Sequence, residues 1–425
     1  MDLPRAREGG LSAGFFAVFV RTPRASADAE SVVAAGIGAG TVATIGAAAD
    51  NAVAAGAAPG RVVATGAAPG NAVAAGAAPG RVVATGAAPG NVVAAGAGPG
   101  NAVAAGLAPG AATEVGAAGR SEIKQDLAPA PGSPQAASAR EVSQPSCPAL
   151  AEPLDPSYAL QATMAMVAGL LRLEAVSAGQ IKIVRTVDEL DACLETGVLA
   201  AILHFEGAEA IDADLNSLEV FYRLGLRSLG IVWSRPNAFG HGVPFLRGHS
   251  PDIGPGLTDA GKALVRACNQ LGIMIDVSHL NEKGFWDVAR ITEAPIVATH
   301  SCAYALCPVP RNLTDRQLDA IRESDGMVGV NFSVNFLCED DDEDRDTLEP
   351  LIRHVDYLVD RLGIDRVGLG SDFDGTRIPA GIGDVTGLPG LIAALRERGY
   401  DEQSLMKLTN ANWRRVLEHT WRADC

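Results

Sequence analysis

The chain has no surplus of positive charge. Its 34 Lys and Arg residues stand against 50 Asp and Glu, a formal charge of -16. That excess removes the electrostatic footprint of a nucleic-acid binder and gives no attraction to acidic membranes. Paired cysteines are missing as well: the seven, at 147, 193, 268, 302, 307, 338 and 425, form no CxxC and are odd in number. The pattern fits reduced thiols rather than a disulfide framework, and the expected compartment is the cytoplasm. No run is long and apolar enough for a membrane span. The stretch from Tyr158 to Val176 is interrupted by Gln161, Thr163, Arg172 and Glu174, so Met164, Met166, Val167, Leu170 and Leu171 are expected to face a protein core. Histidine is absent before His204.

The amino terminus allows a second reading. Arg5 and Arg7 precede the apolar run Leu11 to Val20, and Ala25-Ser-Ala27 follows, which imitates a signal peptide with its cleavage site. Against this, Asp2 and Glu8 sit where a basic region should be, and Gly14-Phe-Phe-Ala-Val-Phe-Val20 also reads as a buried parallel strand. Export is the alternative to the cytoplasm.

From Asn51 to Gly110 a ten-residue unit recurs six times, alternating Asn-Ala-Val-Ala-Ala-Gly-Ala-Ala-Pro-Gly with Arg-Val-Val-Ala-Thr-Gly-Ala-Ala-Pro-Gly. Each unit places a few small apolar residues between a Gly and a Pro-Gly turn, too little surface to offset chain entropy. The period is also shorter than that of common solenoid repeats. The expectation is a disordered low-complexity insertion over 26–153, with an elastin-like spacer or a binding tail as alternatives. It separates a short N-terminal piece, 1–25, from the remainder, 154–425.

What the second half does contain is a recurrence. Four apolar, strand-like runs end on a metal-loving or carboxylate side chain: Leu199-Ala-Ala-Ile-Leu-His-Phe-Glu206, Gly272-Ile-Met-Ile-Asp-Val-Ser-His279, Pro295-Ile-Val-Ala-Thr-His300 and Arg366-Val-Gly-Leu-Gly-Ser-Asp372. A lone histidine closing a buried strand is more often a hydrogen-bonded core residue than a ligand, and Glu206 alone reads equally as a cap or an ion-pair partner. Four such residues at the same place on four strand–helix units change that balance. In a (β/α)8 barrel the C-terminal ends of the strands converge on one face. Imidazole with carboxylate suits zinc, and an unsaturated shell leaves room for water, so metal-assisted hydrolysis is the expected chemistry. Candidate strands are 11–20, 199–206, 226–233, 272–278, 295–300, 327–332 and 366–371, with helices between them. Thr314 and Gln317 form a capping box for the helix through Arg322. The fold class is α/β, a TIM-like barrel one strand short of closure.

The segments His204-Phe-Glu-Gly, Asp276-Val-Ser-His-Leu, Thr299-His-Ser-Cys-Ala-Tyr-Ala-Leu-Cys, Pro310-Arg-Asn-Leu and Gly370-Ser-Asp-Phe-Asp-Gly375 resemble the membrane dipeptidase (renal dipeptidase) family of zinc peptidases, particularly its bacterial members. The resemblance runs from about Leu154 to Trp421 and resumes at Asp2 to Arg24. It implies an amidohydrolase-like barrel with two zinc ions, in which a metal-bridging hydroxide attacks dipeptides, often those with a C-terminal D-residue. By the same resemblance Glu206 bridges the metals and His279 and His300 hold the second zinc. Asp372 is the acid/base, and Arg311 takes the substrate's terminal carboxylate. Family members are often homodimers, although no interface is visible in the pattern.

Three departures accompany the resemblance. The family's opening His-x-Asp pair, on the first barrel strand, has no counterpart before His204, so the missing strand and the missing first-zinc ligands are one absence. Two explanations stand: Met1 is internal to a longer reading frame, or one zinc site is lost. The alternatives to an active dipeptidase are therefore a silent barrel and an amidohydrolase for a non-peptide amide or lactone. Ser234 stands where some members have a substrate-binding histidine, with His241 as a substitute. The repeat insertion follows the strand 11–20, on the catalytic face of a barrel. The acidic run Glu339-Asp-Asp-Asp-Glu-Asp344 is expected to be a solvated loop.

Overall fold

The computed structural model describes residues 2–22, 152–337 and 347–421, with strand backbones between 31 and 116. The acidic run at 339–344, the Ala25-Ser-Ala27 segment and Cys147, Cys338 and Cys425 lie outside the described residues. The chain divides into two units, Met1–Val20 with Pro145–Cys425, and Arg21–Gln144.

The first unit is built on parallel strands: β1 (Ala13–Val18), β2 (Leu199–Glu206), β3 (Leu226–Gly230), β4 (Met274–Asp276), β5 (Val297–Ser301), β6 (Met327–Val330) and β7 (Val367–Leu369). Each hydrogen-bonds to the next in chain order. All seven expected strands are present, several of them shorter than the apolar run that predicts them. A further short strand, Ile181–Ile183, pairs with the start of β2; three residues are too few to give a readable period. β2 is buried over almost its whole length, as expected of a parallel strand covered on both faces. Helices fill the crossovers and begin at legible caps. Thr258 accepts from Gly261 N at 3.0 Å to open Asp259–Leu271, and Gln317 Oε1 accepts from Thr314 N at 2.9 Å at the start of Asp315–Glu323.

Among the described residues β1 and β7 are not hydrogen-bonded to each other, and the path of strands is open between them. Side chains nevertheless meet across the opening. Arg5 Nη1 lies 2.8 Å from Asp384 Oδ2, and the Phe15 and Trp413 rings are 5.0 Å apart in an edge-on contact. Trp413 Nε1 donates to Leu369 O at 3.2 Å, taking up a carbonyl at the end of β7. Gly368 makes room for that indole: a Cβ there would stand 2.7 Å from Trp413 Nε1. The sheet is a curled, incompletely closed barrel.

The helix Pro156–Val176 buries Ala159, Thr163 and Val167 and packs Met166, Leu170 and Leu171 on the core. Met164 does not join them and is 46% exposed, because it lies one residue off the inward stripe. With 21 residues, this helix is long and apolar enough to cross a membrane by length and composition, contrary to the expectation from its interruptions. The four polar residues are spread too thinly to bring the average down.

Where the sequence predicts a disordered insertion, the second unit has strands. Ser31–Gly36, Asn51–Gly56, Asn71–Gly76, Val92–Gly96 and Ala112–Gly116 form one parallel sheet, and Gly40–Gly46, Gly60–Gly66, Gly80–Gly86 and Ala102–Gly106 another. Asn51 pairs with Asn71 and Arg61 with Arg81. Each unit therefore pairs with the next but one, and the structural period is twice the sequence period. Reading one unit alone counts the surface it buries and leaves out the main-chain ladder with an identical neighbour.

Candidate active site

Glu206 closes β2, His300 lies within β5, and His279 follows β4 by three residues. The register shifts between Leu203 and His204 and again between Ala298 and Ser301, irregularities of the kind that re-aim side chains at the end of a sheet. His279 has φ +67°, a left-handed conformation rare outside glycine, at the position where its ring turns into the site.

Three ligand atoms converge. His279 Nε2 is 2.9 Å from Glu206 Oε1, His300 Nε2 is 3.3 Å from the same oxygen, and the two Nε2 atoms are 3.1 Å apart. Burial pushes the Glu206 carboxyl up, but hydrogen bonds from the two histidines outweigh it and hold it well below the carboxylate range. Burial and then the Arg311 guanidinium push His279 down to about 3. Burial lowers His300 too, yet the Glu206 hydrogen bond outweighs it and leaves that ring above its ordinary value.

The far side of each ring decides whether Nε2 can offer a lone pair. His300 Nδ1 faces Thr299 Oγ1 at 2.7 Å, and that hydroxyl donates onward to Asp276 Oδ2. A hydroxyl that donates to a carboxylate accepts from the imidazole, so Nδ1 of His300 keeps its proton, and the proton that a metal ion would displace is the one Nε2 directs at Glu206. Asp276 is 1% exposed and also accepts from Ser278 N at 2.9 Å and Thr299 N at 2.8 Å. Burial raises its carboxyl, but the charges of His300 and His204 and the Thr299 bonds outweigh that and keep it low. His279 Nδ1 has two partners, Ser234 Oγ at 2.8 Å and Arg311 Nε at 3.0 Å. The guanidinium requires an accepting Nδ1, which leaves the proton on Nε2. Ser234 can accept from Nδ1–H, which frees Nε2. The donor set fits a zinc ion in the second of these tautomers, with Ser234 accepting from His279 Nδ1–H and the Arg311 Nε bond to that ring given up.

Asp372 stands outside the three-atom cluster, three residues after β7, with φ +58°. Its Oδ2 accepts from Asn331 Nδ2 at 3.0 Å, and burial pushes its carboxyl up. Arg311 is 3% exposed. Besides His279 it binds Ser301 Oγ at 3.1 Å and His300 O at 3.0 Å, so it braces both histidines from behind. His241 is half-buried and not part of the cluster, and its Nδ1 has no partner among the described residues.

The sequence profile of membrane dipeptidases (peptidase family M19) matches residues 139–424. The chain belongs to the membrane dipeptidase family. Its relatives include a metallopeptidase from Rhodobacter sphaeroides, solved with a phosphinate mimic of the dipeptide L-Ala-D-Ala. The two are 55% identical, with a TM-score of 0.62 over 64% of this chain and 78% of that one. An uncharacterised Klebsiella pneumoniae protein from the pqqA 5′ region is 51% identical over 59% of this chain and 93% of its own length. The dipeptidase tcpJ of Claviceps purpurea is 31% identical over 58% of this chain and 57% of its own. A membrane dipeptidase is a metallopeptidase, and the class of reaction is peptide-bond hydrolysis.

Sequence reasoning on this membrane dipeptidase missed Asp276, Thr299 and Asn331 as supports of the site. Asp276 and Thr299 lie inside quoted motifs, three residues before His279 and one before His300, and that proximity was the available signal. Asn331, one residue past β6, gave none.

Proposed function

We propose that the chain is a zinc-dependent dipeptidase cleaving dipeptides with a free carboxylate, including those ending in a D-residue. The observation that carries this reading is the convergence of Glu206 Oε1, His279 Nε2 and His300 Nε2 at hydrogen-bond distances, with the back of each ring buttressed. The D-residue rests on the mimic held by the Rhodobacter sphaeroides relative. When bound, zinc supplies the Lewis acidity that polarises a peptide carbonyl and lowers the pKa of water. Asp372, raised by burial and fixed by Asn331, takes a proton from the attacking water and returns it to the leaving amine. The Arg311 N–H groups not spent on Ser301 and His300 take the substrate carboxylate.

Elemental analysis of the zinc-equilibrated chain, followed by a panel of dipeptides, their amides and lactones, tests the proposal. Tightly held zinc with cleavage of free dipeptides, L-Ala-D-Ala among them, supports it. Two ions per chain would mean that other residues complete the first zinc site. Zinc with lactone hydrolysis alone would replace it by a non-peptide amidohydrolase, and a chain that holds no zinc would be a silent barrel.

A further inference from the structure

Phe245 is 52% exposed, a large apolar ring in water beside a metal-type site. The loop that carries it is pinned at both ends. Val243 N donates to His279 O at 2.9 Å, Gly248 N donates to Pro308 O at 3.1 Å, and Arg247 Nη2 donates to Asn335 O at 3.3 Å. The ring itself is held by other rings: Trp233 at 5.3 Å, Phe336 stacked at 6.0 Å, and the His279 imidazole edge-on at 6.2 Å. Trp233 also lies 5.8 Å from His279 and is backed by Phe19 at 5.0 Å. Trp233 and Phe245 from the connection after β3, with Phe336 from the short helix Val334–Leu337, thus make a fixed apolar wall beside His279 of the cluster. In a chain with few aromatic residues, 5% of the total, this concentration is local to the site. Neither packing nor folding requires the outer face of Phe245 to remain exposed, whereas a bound apolar group would cover it.

We propose that Phe245, with Trp233 and Phe336 behind it, is the subsite for the side chain of the dipeptide's C-terminal residue, and that it selects apolar side chains there. This rests on the dipeptidase reading, and the position follows from Arg311. Its Cζ lies 5.5 Å over the Phe336 ring, so a carboxylate held by Arg311 brings the adjoining side chain to this wall. The N-terminal residue, on the other side of the scissile bond, is directed away from it.

The test uses the zinc-equilibrated full chain with Ala-Ala, Ala-Leu, Ala-Phe and Leu-Ala, read as kcat/KM and as calorimetric Kd. Ala-Leu and Ala-Phe should exceed Ala-Ala by roughly tenfold or more, the range for a few methylenes entering an apolar pocket. Phe245→Ala should bring that ratio close to one without moving the ratio of Leu-Ala to Ala-Ala, and Phe245→Tyr should restore it. If dipeptides are cleaved but the C-terminal ratio survives Phe245→Ala, or the N-terminal ratio moves instead, the subsite is wrong while the dipeptidase reading stands. If the chain neither binds nor cleaves any of the four, the dipeptidase reading fails and the subsite with it.

Discussion

Replacing Thr299 by Val removes one hydroxyl and almost no volume, and the consequences can be worked out atom by atom. Thr299 is 6% exposed, so water does not substitute for the lost group. Asp276 Oδ2 loses its hydroxyl donor, and His300 Nδ1–H loses its acceptor. Leaving buried polar groups unpaired costs about 1–3 kcal/mol. For the metal the effect is larger than the stability loss suggests, because the His300 tautomer is no longer fixed with Nε2 free. Loss of such a supporting group weakens metal affinity by roughly 10- to 100-fold. The assay is competition for zinc with a chromophoric chelator, alongside thermal unfolding with and without zinc. Thr299→Ser, which keeps the hydroxyl, should remain close to wild type. An unchanged zinc affinity in Thr299→Val would refute the chain of reasoning from Asp276 through Thr299 to His300.

Glu206→Gln should lose zinc and activity together, since its Oε1 is the oxygen both histidines face; two tight zinc ions retained would refute its ligand role. Asp372→Asn should keep zinc and lower kcat on the order of 10²–10⁴-fold, the usual loss for a proton-transfer group, and near-normal turnover would remove Asp372 from that role. Asp212 accepts from Ser217 Oγ, Ser217 N and Asn216 N at the start of Asn216–Leu224, which hold its carboxyl down at about 2. Its folded value is depressed, so its stabilisation is present above the ordinary Asp value near 4 and is lost as pH falls toward 2. Asp212→Ala should therefore cost about 1 kcal/mol at neutral pH and little near pH 2, measured by urea unfolding at both.

The strands and the residues of the cluster were legible for one physical reason. A parallel strand buried on both faces is a continuous apolar run, and a histidine or carboxylate at its end interrupts that run visibly. The cluster of Glu206, His279 and His300 that the structure brings together was picked out in this way. The roles around them were hidden because they depend on neighbours across the sheet. Asp276 supports His300 through the pairing of β4 with β5, and Ser234 meets His279 from 45 residues away. Arg311, which the family resemblance assigns to substrate, turns out also to brace both histidines. The pairing of the repeats was not legible because it joins units twenty residues apart, whereas the turn chemistry lies within one.

Trp413 shows how the open side of the barrel is held. Its indole fills the space left by Gly329 and Gly368, where a Cβ would approach it to 2.8 and 2.7 Å. It touches Phe15 of β1 and donates to Leu369 O of β7. An edge carbonyl and two edge strands thus meet at one side chain. Trp413→Ala removes the ring and the donor together. A fully buried aromatic costs about 3–5 kcal/mol on truncation; half-buried, Trp413 should cost about 2–3 kcal/mol, with Phe recovering the packing but not the hydrogen bond. Gly368→Ala should destabilise by a separate route, since its methyl would meet both Trp413 and Met327 Cε, the latter at 2.5 Å. β7 runs toward Asp372, whereas Glu206, His279 and His300 come from β2, the segment after β4, and β5. Loosening this edge should therefore lower turnover before it lowers zinc content. A Trp413→Ala chain that unfolds in urea like wild type would show that the β1 and β7 edges are held by something other than this ring.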